Sequence, residues 1–170
     1  MNNSIDDQKT TKLKRWISKL TAQKYGFIKD LVNHSLMTLD EIDSLISELV
    51  AERMNLSHQY FEFATDIQPD SSLLCRQIIS RCYYAMHHAA RAVIFATRRS
   101  DLTSHEKVIK AIGKLFGNDT SDLLLEQLNV RNTVEYELFA PDDIRELAKK
   151  SVNKAREFIK MCDLYIKERR

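Results

Sequence analysis

Within the stretch RCYYAMHHAARAVI, residues 81–94, four side chains capable of chemistry recur at helical intervals: Arg81, Tyr84, His88 and Arg91. Spacings of three, four and three place them on one face of a helix, continued by Phe95. Arginine binds phosphate, while tyrosine and histidine stack on bases and exchange hydrogen bonds. The face therefore reads in two ways. It lines a cationic, aromatic groove, or it is an interior stripe whose polar groups each find one partner, with Arg81 paired to a carboxylate across a bundle. Spacing alone leaves both open. His87 and His88 are adjacent, hence about 100° apart, and do not form the i,i+4 pair that chelates a metal from a helix. No metal or other cofactor is expected. Arg99 and His105 span a loop and a helix cap, so their separation is read as coincidence.

The rest of the chain must position this face. Beside the polar stripe, Ala85, Ala89, Ala92 and Ala96 form a row of small residues that lets another helix come close. Asp70, Ser71 and Ser72 offer caps for a helix from about 72 to 98. Upstream, Leu13, Trp16, Ile17, Leu20, Phe27, Ile28 and Leu31 predict a helix over about 12–35, with Gly26 a weak point. Thr38 and Glu41 form a capping box ahead of the stripe Ile42, Leu45, Ile46, Leu49 and Val50, a helix expected to reach about Thr65. Thr103 and Glu106 suggest a second capping box, opening a helix through Phe116 that stops at Gly117-Asn118-Asp119. Helices over about 121–136 and from Pro141 to about 167 follow. Pro141 suits a first turn, Asp142 and Asp143 suit the helix dipole there, and Lys167, Arg169 and Arg170 suit its negative end.

Composition agrees. Three glycines and two prolines in 170 residues are too few for the turns of a sheet protein. The expected fold is an all-α, antiparallel bundle of five or six helices. A formal net charge of +2 argues against attachment to nucleic acid by bulk charge. A local basic patch remains in Lys9, Lys12, Lys14, Arg15, Lys19, Lys24 and Lys29. Cys75 and Cys82 lie seven residues apart, about 10.5 Å of helix rise, too far for a disulfide. With Cys162 they read as buried thiols of a reducing compartment. No run approaches the roughly 18 apolar residues of a membrane span and no signal segment is evident, so a cytoplasmic protein without membrane contact is expected.

Ser80 to Val93, SRCYYAMHHAARAV, resembles the SRAYYAMFHAARAL signature of the HEPN superfamily, the higher eukaryote and prokaryote nucleotide-binding domains. Its nearest branch is the small stand-alone proteins often paired with minimal nucleotidyltransferases. The segment from Ser104 to Phe116 resembles that branch's SHKGV…F segment. Arg131 to Tyr136, RNTVEY, resembles its RxxADY motif, with Val134 for Ala and Glu135 for Asp. The resemblance covers about Leu56 to Lys167. It divides the chain into an N-terminal helical extension with the start of the first long helix, 1–55, and a HEPN-like domain, 56–170.

The resemblance implies a homodimer with a groove at its interface and, in many members, RNA cleavage without metal. The catalytic signature there is Arg, four to six residues, then His. Arg131 matches the Arg and Asn132 a frequent neighbour, but Glu135 and Tyr136 stand where His would fall. Cleavage through the ribose 2′-hydroxyl needs a proton acceptor and donor, which His supplies most readily. The candidate catalytic residues are Arg131, Glu135 and His88. Arg81, Tyr84, Arg91, Asn132 and Tyr136 are the candidates for RNA or nucleotide contact. Against this stands an ordinary i,i+4 salt bridge from Arg131 to Glu135, worth a few tenths of a kcal/mol on a surface.

Three functions follow as expectations. The first is an RNA-binding or RNA-cleaving component of a toxin–antitoxin or defence module. The second is a non-catalytic interaction protein bound by a partner nucleotidyltransferase and AMP-modified on Tyr136. The third is a helical adaptor that docks through its basic N-terminal helix.

Overall fold

The structure is a computed structural model, described here for residues 11–19, 28, 30, 32–34 and 38–169. Five helices carry most of it: α1 (Leu39–Asp66), α2 (Ser72–Arg98), α3 (His105–Phe116), α4 (Asn118–Tyr136) and α5 (Ile144–Lys167). There is no strand among the described residues, and the all-α bundle expected from composition is what forms. A shorter helical stretch over 11–17 precedes them.

α1 begins where the capping box requires. The Thr38 hydroxyl accepts from the Glu41 amide, and the Glu41 carboxylate accepts from the Thr38 amide at 2.8 Å. These bonds hold the Glu41 carboxyl below the usual carboxylate range. α1 then runs unbroken past residues 55 and 56. α2 starts on Ser71, whose hydroxyl accepts from the Leu74 amide, and ends at Arg99, which turns left-handed at φ 52°.

Three boundaries depart from expectation. The second capping box does not form: Ser104 caps α3, with no side-chain bond to the helix. Gly117, at φ 96°, turns the chain alone, so Asn118 and Asp119 open α4 instead of ending α3. Pro141 sits ahead of α5 in a turn closed by the Ile144 amide on its carbonyl at 3.1 Å, and Asp142 and Asp143 precede the helix. Near the N-terminus, the helix over 11–17 gives way to a turn at Ser18 and Lys19, where the Ser18 hydroxyl takes the Arg15 carbonyl. The expected continuation across Gly26 lies outside the described residues, as do Lys9, Lys24 and Lys29 of the basic patch.

α2 is the axis of the bundle and packs against all four other helices. Directions follow from cross-contacts. α1 is antiparallel to α2, because Asp43 meets Arg99 at one end and Phe63 meets Arg81 toward the other. α4 is also antiparallel to α2, pairing Val134 with Arg76 and Arg131 with Tyr84. α5 runs parallel to α2, since Arg145 meets Asp70 and Tyr165 meets Thr97. The α3–α4 hairpin returns the chain and makes that direction possible.

The alanine row performs its expected role. Ala85, Ala89 and Ala92 are fully buried, and α1 approaches closely enough for the buried Ser57 hydroxyl to donate to the Ala85 carbonyl at 2.7 Å. All three cysteines are buried and unpaired. Burial pushes the Cys82 thiol up to about 12 and the Cys162 thiol up as well, so neither is a nucleophile at neutral pH. No helix among the described residues is long and apolar enough to cross a membrane.

Candidate functional site

Three residues of the α2 stripe meet α1 or α4: Arg81 and His88 pack on α1, and Tyr84 meets Arg131 of α4. The Arg131 guanidinium donates to the Tyr84 hydroxyl at 2.9 Å, to the Asn132 side-chain oxygen at 3.1 Å and to the Tyr136 hydroxyl at 3.5 Å. It also lies over the Tyr84 ring at 5.3 Å and the Tyr136 ring at 5.4 Å. Burial works against this charge, but the Tyr136 hydrogen bond and the nearby Tyr84, Tyr136 and Glu135 outweigh it, so its pKa is raised. The group is a fixed cation held between two phenols.

No carboxylate among the described residues comes within 4.0 Å of Arg131. The expected bridge to Glu135 is not made. Glu135 instead accepts the Ser80 hydroxyl of α2, which ties α4 to α2 one turn beyond the arginine. Arg81 likewise has no acid partner among the described residues. It reaches the Gln77 amide oxygen at 3.4 Å and packs against the Tyr60 and Phe63 rings of α1, at 5.7 and 5.6 Å.

His88 lies flat on Tyr60, the rings 5.4 Å apart and inclined by 7°. Burial, together with the charges of Arg91 and Arg53, pushes it down to about 4. His87 is pushed down to about 3 by burial and by His105 and the arginines. Both are neutral at physiological pH. A ring stacked on Tyr60 and reluctant to protonate is poorly suited to relay protons, which weakens the reading of His88 as an acid–base group.

Arg91 departs from the expected pattern. Although it shares the stripe's spacing, its guanidinium is held by both oxygens of Asp101, with the Nε bond at 3.1 Å. Asp101 also accepts from Arg53 at 2.9 Å, and its side chain is only 5% exposed. One acid between two arginines clamps the α2–α3 connection onto α1. Arg91 is thus committed to structure. Arg99, on the same connection, pairs with Asp43 and not with His105, so the two ends of that spacing serve different partners.

Four residues that spacing did not mark join the cluster. Tyr60 and Phe63 enter from α1. Tyr83, buried behind Tyr84, places its hydroxyl 2.5 Å from Nδ1 of His105, the first residue of α3. The His105 ring lies 4.6 Å from His87, and burial followed by the charges of Arg131 and Arg91 lowers its pKa. Burial keeps the Tyr83 phenol protonated. A faint signal existed for Tyr60 and Phe63, which extend the Leu56 face of α1 at helical spacing. His105 resembled only part of a cap.

The cluster holds most of the buried side-chain polar atoms without a hydrogen-bond partner among the described residues, the other being Oε1 of Gln127 on α4. Among the described residues, the buried side-chain nitrogens lacking a hydrogen-bond partner are Nε of Arg81, Nδ1 of His87, Nδ1 of His88 and Nε of Arg131. All four belong to this cluster. Buried polar groups in folded proteins are nearly always satisfied, so these four mark a crowded polar interior beneath the arginines. Among the described residues, no group of three or more His, Cys, Asp or Glu is arranged to hold a metal.

The HEPN domain family model matches residues 74–166, from the first turn of α2 to the last turn of α5, and the chain belongs to that family. No curated protein matches the sequence.

Proposed function

We propose that the protein is a cytoplasmic, homodimeric RNA-binding HEPN protein of a toxin–antitoxin or defence module, with Arg131 as its phosphate anchor. The observation that carries this reading is the Arg131 cluster: a guanidinium between Tyr84 and Tyr136 with no acid partner among the described residues, beside Arg81, which has none among them either. Phosphate supplies the anionic partner that neither guanidinium has among the described residues, and Tyr84, Tyr136 and Asn132 supply stacking and hydrogen bonds. The HEPN-like unit is residues 56–170, with 1–55 as its extension.

Binding has firmer support than cleavage. If the chain cuts RNA, Arg131 steadies the negative charge that builds on the non-bridging phosphate oxygens as the 2′-hydroxyl attacks. Proton transfer then falls to Glu135 or His88, which are engaged by Ser80 and Tyr60 respectively. The test is a labelled single-stranded RNA incubated with the wild type and with Arg131→Ala, read for retardation and for fragments. Retardation by the wild type and its loss in the variant support the reading. No retardation and no fragments with wild-type protein overturn it.

A second reading is favoured by Tyr136, which is 77% exposed with its phenol beside Arg131. Here a partner nucleotidyltransferase binds the dimer and transfers AMP to the Tyr136 oxygen, releasing pyrophosphate. Co-expression with such a partner and intact-mass measurement decides it: an AMP adduct lost in Tyr136→Phe supports it, and an unmodified chain that does not co-purify removes it.

A further inference from the structure

Beside Arg131, and connected to it through Tyr60 and Tyr84, whose rings are 5.8 Å apart, α1 and α2 enclose an open cavity of about 290 Å³. It is lined by Leu56, Gln59, Tyr60, Phe63 and Arg81. Of these residues only Arg81 takes part in the phosphate reading; Leu56, Gln59, Tyr60 and Phe63 have no role in it. We infer that this cavity is a nucleobase slot that receives one unpaired base of the RNA chain whose phosphate Arg131 holds. The inference rests on the RNA-binding reading above and adds a ligand class and a location to it.

Each wall has a chemical role. Leu56, Gln59, Tyr60 and Phe63 fall at i, i+3, i+4 and i+7 on α1, so one helix face builds the floor and rim together. Phe63 is 53% exposed and offers an open aromatic plane. Tyr60 is braced from behind by His88, which fixes the platform without a charge. Arg81 closes the α2 side, its guanidinium near both rings. Gln59, at the exposed rim, carries one acceptor and two donors, the set that pairs with a base edge.

The lining holds one cation and no acid, which suits an electron-rich base attached to a polyanion. A purely apolar occupant would cover the Arg81 guanidinium and the Gln59 amide without giving either a partner. A base in a duplex cannot enter, because its faces are already stacked, so the slot selects single-stranded RNA.

The test is fluorescence anisotropy with the full chain and two labelled strands of equal length, an RNA 10-mer and its counterpart with abasic residues. Both carry the phosphates, but only the first carries bases. The proteins are wild type, Phe63→Ala and Phe63→Trp, with Arg131→Ala as the phosphate control. Because Phe63 is half exposed, its variants are expected to fold, and circular dichroism verifies this. The expected result is wild-type affinity for RNA about tenfold above that for the abasic strand. Phe63→Ala abolishes that ratio while holding the abasic strand as well as wild type does, and Phe63→Trp restores it. Arg131→Ala weakens both strands. Equal wild-type affinity for the two strands overturns the slot while leaving RNA binding intact, as does a Phe63→Ala variant that keeps the ratio. A variant that changes only the dimer–monomer balance assigns the cavity to a second copy and also overturns it. A wild type that binds neither strand removes the RNA reading and the slot together.

Discussion

At the scale of single residues, arginines of similar spacing have different roles because of their partners. Arg131 and Arg81 face phenols, amides and rings, whereas Arg91 and Arg53 share a buried carboxylate. This contrast yields a stability prediction. Asp101→Ala leaves two largely buried guanidinium groups without their acid, and removing one partner of a buried ion pair costs about 3–5 kcal/mol. Urea unfolding should show a loss of that order. Arg131→Ala, which removes no buried pair, should unfold close to wild type. Equal stability of the Asp101 and Arg131 variants would refute the assignment of roles. The residue scale is also where sequence was least informative. Asp101 lies in a connection, 48 residues from Arg53 and 10 from Arg91, so no periodicity links the three. His105 meets Tyr83 across 22 residues for the same reason. Arg91 looked like part of the binding face because spacing reports which face a residue occupies and not what waits opposite it.

At the scale of elements, the alanine row of α2 determines how near α1 can come, and the Ser57 hydroxyl on the Ala85 carbonyl records that approach. Ala85→Leu would force the two helices apart at a fully packed contact, a change that typically costs about 1–3 kcal/mol. It should also displace Tyr60 from its position beside Tyr84. Thermal or urea unfolding checks the first effect, and reduced RNA affinity of the folded variant checks the second. A variant as stable as wild type would mean that the small residues are not what permits the approach. Elements were far more legible than pairings. Thr38 with Glu41, Ser71, and Gly117 are local signals, complete within a few residues, and they mark helix ends as the structure has them. The second capping box and the Pro141 start failed because each sequence cue competes with neighbouring turns: Ser104 takes the cap position, and the Pro141 carbonyl closes a turn before α5 begins.

At the scale of the whole molecule, two consequences follow. His87 and His88 are held neutral, with pKa values pushed down to about 3 and about 4, against about 6.5 unfolded. The unfolded chain therefore binds more protons below pH 6.5, so their contribution is fully present above that pH and is lost as pH falls toward those folded values. The urea midpoint should decline from pH 7 to pH 4, and less steeply in His88→Asn. A midpoint that rises on acidification would contradict the buried, neutral state of both rings.

The second consequence concerns assembly. Leu138 is 85% exposed and Phe139 81% exposed, and with Leu73 they flank a concavity between the α4–α5 connection and the start of α2, next to the Arg131 cluster. Exposed apolar patches of this kind mark contact sites, and a second copy of the chain is the occupant the homodimer reading requires. Light scattering should report a dimer for wild type and a monomer for Phe139→Glu. A monomeric wild type would remove the dimer from the account while leaving the cluster within one chain.

The central claim is that Arg131 anchors RNA through phosphate, and its most direct measurement is RNA affinity as a function of salt, for wild type and Arg131→Ala. The account predicts binding that weakens with salt for wild type. It also predicts a loss of about tenfold or more in the variant, with a log–log salt slope shallower by about 0.7, the value for one phosphate contact on a single strand. A variant that matches wild type in both affinity and slope would contradict it, as would a wild type with no affinity for RNA.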